Sequence, residues 1–122
     1  MLINELNLYL IVRKLLTIQN LLTMITFEKQ AELISNATGE IRKKDILDIL
    51  NSTANTKDAA NQLTKKYDLG IIDAFIVRKV LCPETINKEY ERAVIKDIND
   101  TYDARTAKEI KENLKALADD LK

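Results

Sequence analysis

Apolar residues recur along this chain at intervals of three and four, and only rarely at intervals of two. The first stretch is the most regular. Leu8, Ile11, Leu15, Ile18, Leu22 and Ile25 are spaced by three, four, three, four and three, which is the a/d seam of a heptad repeat. Leu2, Leu6, Leu10, Leu16 and Leu21 widen the apolar surface beyond a strict seam. The pattern predicts a helix over residues 2–25 that is buried in the core or against a partner. Helix continues over 26–36, with Phe27, Ala31 and Ile34 on one side, and breaks in the Asn36–Gly39 cluster.

The middle of the chain carries shorter helical patterns. Ile41, Ile46, Leu47, Ile49 and Leu50 define a helix over 41–51, and the polar run 51–56 reads as a loop in which Thr56 caps the next helix. Ala60, Leu63 and Tyr67 mark that helix over 57–67, and Asp68 to Gly70 a tight turn. Residues 71–81 are apolar nearly all round, the signature of a central, buried helix. Pro83 sits where a first helical position is expected, because its missing N–H costs nothing there. Ile86, Tyr90, Val94 and Ile98 then form a stripe. Residues 99–103 read as a break with Asp103 as the next N-cap, and Ala107, Ile110, Leu114, Leu117 and Leu121 give a second heptad seam. No alternating run is long enough to predict a strand. The fold class expected is all-α, a compact multi-helix bundle of about five to seven helices, with residues 1–122 forming one domain. Within it, residues 1–25 are an apolar interface or core helix, 41–81 the central helices, and 83–122 the amphipathic C-terminal helices.

Composition narrows the chemistry more than the fold. The 122 residues contain no His, no Trp, two Gly, one Pro and one Cys. Without His there is no imidazole base and no Ser–His or Cys–His pair. A lone cysteine, Cys82, builds neither an internal disulfide nor a thiolate zinc site, and suits a reducing, cytoplasmic setting. Two isolated glycines make no phosphate-cradling loop. Asp97, Asn99, Thr101 and Asp103 place oxygens at alternate positions, as calcium loops do. Tyr102 replaces the required Gly, and Lys108 stands where the bidentate Glu belongs. The expectation is a non-enzymatic protein with no cofactor and no metal. Arg13 and Lys14 interrupt the N-terminal apolar stretch, so no membrane span or signal peptide is expected. Met24 offers an alternative start, but untranslated sequence has no reason to keep the seam at 8–25.

Net charge is zero, from 19 basic and 19 acidic residues, which disfavours indiscriminate electrostatic binding to nucleic acid. The middle third is mildly basic. Leu63, Tyr67, Leu69, Ala74 and Val77 have core spacings close to those of helix-turn-helix units, and Lys65, Lys66, Arg78 and Lys79 would supply phosphate contacts. A reading helix must present polar side chains to base edges, yet Ile71, Ile72, Phe75 and Ile76 take the outward positions. A DNA-binding regulator with such a unit at 57–81 is therefore the alternative expectation.

The stretch "AANQLTKKYDLGIIDAFIV" followed by "INKEYE" resembles the helical segment flanking the coiled-coil arm of bacterial gyrase and topoisomerase IV A subunits. Ala60, Leu63, Tyr67, Leu69 and Ala74 carry the resemblance, with Ile86, Glu89 and Tyr90 echoing the returning arm helix. It covers about a quarter of the chain, and beyond Ala74 the alignment slips by one residue. It implies at most a similar helical hairpin, since the family's catalytic tyrosine domain has no room here. The leading expectation is a small interaction or regulatory factor, self-associating or bound to a helical protein. Its interface would use Leu8, Ile11, Leu15, Ile18, Leu22, Ile25, Ile110, Leu114, Leu117 and Leu121.

Overall fold

The computed structural model describes residues 26–121, which contain helices and no strand. Residues 26–38 form α1. It is succeeded by α2 (Lys43–Ser52), α3 (Thr56–Lys66), α4 (Ile71–Leu81), a single 3-10 turn (Pro83–Thr85), α5 (Lys88–Thr101) and α6 (Ala104–Asp120). The bundle predicted from the 3.6-residue periodicity is the fold observed.

Most of the punctuation is local hydrogen bonding. Gly39, at φ +66°, ends α1 in the left-handed region, and its N–H donates to the Ser35 carbonyl at 2.9 Å. The turn at Asp68 closes α3 with a Schellman pair: Leu69 N–H donates to Thr64 O and Asp68 N–H to Lys65 O. Asp68 holds φ +48°, a conformation that costs an L-residue and that Asp tolerates better than most. Leu69 folds back against the core cluster that contains Leu63, the apolar contact that accompanies this motif.

Three sequence expectations need correction. The cap of α3 is Asn55, whose side-chain oxygen accepts from Asp58 N–H at 2.9 Å, while Thr56 is the first helical residue. Asn is the better N-cap of the two and sits one residue earlier. Pro83 starts a 3-10 turn and not a long helix. Thr85 Oγ1 donates back to Cys82 O at 2.7 Å, Ile86 N–H to Pro83 O at 3.1 Å, and α5 begins only at Lys88 under an Asn87 cap. Asn99 to Thr101 belong to α5, so the break shrinks to Tyr102 and Asp103, with Asp103 capping α6 as expected.

The core has two parts that meet at α4. Ala31 and Ile34 of α1, Ile46, Ile49 and Leu50 of α2, and Ala59, Ala60 and Leu63 of α3 pack with Ile76, Val77, Val80 and Leu81 of α4; Leu117 of α6 joins them. Phe75, on the other side of α4, packs with Val94 and Ile98 of α5 and Ala107 of α6. Ile72 and Leu114 touch both parts. A helix packed on two sides has no polar face to keep, which is why residues 71–81 read as apolar nearly all round. No polar or charged side chain is buried among the described residues.

Candidate interaction surfaces

The residues singled out from sequence fall into three groups. Leu8, Ile11, Leu15, Ile18, Leu22 and Ile25 lie outside the described residues. The C-terminal seam faces inward on its own chain. Leu117 is buried, Leu114 and Leu121 pack on the larger core, and Ile110 packs on the smaller one. The basic quartet divides. Lys65 and Lys66 are exposed at the end of α3, where cations complement the helix dipole, and the Lys66 ammonium lies 5.5 Å from the Tyr67 ring centroid. Arg78 and Lys79 are half-buried on α4.

Arg78 is already engaged. Its Nη2 donates to the Thr85 carbonyl at 2.8 Å and its Nε to Thr85 Oγ1 at 3.3 Å. Its guanidinium carbon lies 4.3 Å from the Tyr90 ring centroid, a cation–π contact. Tyr90 in turn stacks on Phe75 at 5.9 Å. Arg78 therefore ties α4 to the 3-10 turn and to α5. Phe75 and Ile76, on the helix that would read base edges, are buried in the core; only Ile71 at its start is exposed. Arg78 and Lys79, although adjacent in sequence, line different hollows.

What sequence inspection missed is a groove between α4, α5 and α6. Phe75, Val94, Leu114 and Ala118 form its apolar floor, and Ile95 its wall. Lys79, Lys111 and Lys115 stand around it with a single acid, Glu91. The groove encloses about 250 Å³. Ile95 is 39% exposed, one of three large apolar side chains so exposed among the described residues. The stripe Ile86, Tyr90, Val94 and Ile98 placed Val94 inward, as observed, and left Ile95 off it, but did not mark Ile95 as part of a groove. The other two, Ile71 and Tyr102, flank a separate hollow with Ile72 and Ile110. Between α1, α4 and the end of α6, Gln30, Leu33, Val80 and Leu121 line a wider depression of about 600 Å³. There Gln30 Nε2 donates to Val80 O at 3.5 Å.

The remaining chemistry is sparse. Cys82 is buried, and its sulfur accepts from Thr85 Oγ1 at 3.6 Å. The alternate oxygens of 97–103 are spread over a helix end and a cap, and no cluster of three metal-ligating side chains occurs among the described residues. Burial is the main effect raising the Asp73 carboxyl above the ordinary carboxylate range, and the neighbouring Glu40 adds to it. No helix among the described residues is long and apolar enough to cross a membrane. Compared with protein-family models, curated proteins and solved structures, the chain matches none.

Proposed function

We propose that this chain is a non-enzymatic helical interaction factor that seats a partner's amphipathic helix, acidic on its flanks, in the groove between α4, α5 and α6. The observation that carries this is the groove's composition: an apolar floor with an exposed Ile95, flanked by three lysines and one acid. A helix laid in such a groove offers apolar anchors to the floor. Carboxylates beside those anchors meet Lys79, Lys111 and Lys115, and charge complementarity of this kind selects the partner more than it adds affinity. The absence of His and the single buried Cys82 support the non-enzymatic reading. The heptad spacing of apolar residues over 8–25 in the sequence also supports association with another copy or with a helical partner.

The test is a photo-crosslinking residue at position 95 of the full chain, introduced in its native cell. A protein partner is expected, crosslinked within an amphipathic helix carrying acidic flanks, and Lys111→Glu with Lys115→Glu should lower the yield about tenfold. Crosslinks to a second copy of the chain, to nucleic acid, or to nothing would overturn the assignment of this groove.

A further inference from the structure

A second cavity, chemically unlike the groove, lies between α3, α4, the 3-10 turn and α5. Lys57, Asn61 and Thr64 stand at i, i+4 and i+7 on one face of α3. Arg78 of α4 and Tyr90 of α5 line it as well, and among the described residues no carboxylate does. It encloses about 370 Å³, within the range of about 300–1,000 Å³ usual for small-molecule sites.

Its charge is unbalanced. Neither Lys57 nor Arg78 takes part in an ion pair among the described residues. Arg78 is held in place by Thr85 and by the Tyr90 ring, so its fork is fixed before any ligand arrives. The two Thr85 contacts leave part of its five-donor set unused. The Asn61 amide and the Tyr90 hydroxyl have no hydrogen-bond partner among the described residues. A half-buried guanidinium with no acid beside it, an ammonium, an amide and a phenol thus line one hollow. Such a set is complementary to an anion.

We propose that this cavity binds the phosphoryl group of a small phosphomonoester. The donors come from three helices, α3, α4 and α5. A planar carboxylate has two oxygens to offer them, whereas a phosphoryl group has three, arranged out of plane. The cavity is also larger than a bare phosphate fills, which leaves room for the organic group the phosphate carries. Binding here would fix the α3–α4–α5 junction through the Arg78 tie.

The experiment is an amide-resolved NMR titration of the full chain at constant ionic strength. The probes are inorganic phosphate, phenyl phosphate and, as the planar anion, acetate. Saturable shifts are expected at Asn61, Arg78, Thr85 and Tyr90, with phenyl phosphate binding most tightly and acetate most weakly. Lys57 and Asn61 are exposed, so Lys57→Ala and Asn61→Ala should keep the fold, seen as unchanged spectra elsewhere, while each raises the dissociation constant about tenfold. Shifts scattered outside the cavity, acetate matching phosphate, or dissociation constants unchanged in both variants would overturn the proposal.

Discussion

At the scale of single residues, Asp73 shows how a side chain can work against the fold that holds it. It lies in the first turn of α4, where a carboxylate ordinarily gains from the helix dipole. Partial burial and the facing Glu40 outweigh that gain and raise its pKa. A carboxyl whose pKa rises on folding favours the folded state while protonated, below the ordinary carboxylate pKa. It loses that contribution as pH climbs through the raised value. Asp73→Asn should therefore be more stable than the parent at pH 7. The difference should stay under about 1 kcal/mol, because solvent screens a side chain this exposed. Below about pH 4 the two should converge, since the parent carboxyl is then protonated too. Urea denaturation at pH 7 and pH 3.5 reads this directly. An equal or larger gap at the lower pH would show that Asp73 acts by something other than its charge.

At the scale of elements, α4 joins the two halves of the core. Leu63 on α3 is fully buried in the larger part, and Ile98 on α5 in the smaller. Truncating either to Ala should cost about 2–5 kcal/mol, and each variant should still melt in a single step, because α4 cannot leave one cluster while keeping the other. Circular dichroism melts at 222 nm check both statements; a biphasic melt for Ile98→Ala would separate the clusters. The element scale is also where the sequence was most legible. The span 71–81 and its burial could be read from apolar residues on every side, since nothing but a shared wall explains them. Helix starts were less legible. At Asn55–Thr56 two capping residues stand side by side, and only the hydrogen bond to Asp58 N–H decides between them. At Pro83 the residue suits the first position of either helix type, and what selects the 3-10 turn is the Thr85 hydroxyl reaching back to Cys82 O. The groove was hidden for a related reason. Lys79 on α4, Ile95 on α5 and Lys111 on α6 are far apart in sequence, and nothing local marks them as neighbours.

At the scale of the molecule, the balanced charge governs what is expected toward nucleic acid. Neutralising several phosphates makes affinity fall steeply with salt, and here Arg78 and Lys79 are half-buried and line different hollows. No sequence-specific duplex binding is expected at physiological salt. An anisotropy titration against promoter fragments with competitor DNA tests this. A retained complex that disappears when Lys65, Lys66, Arg78 and Lys79 become Ala would restore the DNA-regulator alternative. Binding in the α4–α5–α6 groove should weaken only modestly as salt rises, because salt screens the three lysines but not the apolar floor.

The order in which the helices touch has a consequence for how the chain reaches this structure. Among the described residues α2 packs on α3, α3 on α4, α4 on α5 and α5 on α6, pairings that join consecutive elements across connections of a few residues. Closing short loops costs little entropy, and topologies rich in such near-neighbour pairings fold in microseconds to milliseconds. The most distant contact in sequence brings Leu117 to the cluster that holds Ala31 and Ile34, and it is expected to form last. That step brings α6 over α4, and with it completes the walls of the groove. The surface proposed to recognise a partner therefore depends on the docking of α6, which supplies Lys111, Leu114, Lys115 and Ala118 to it.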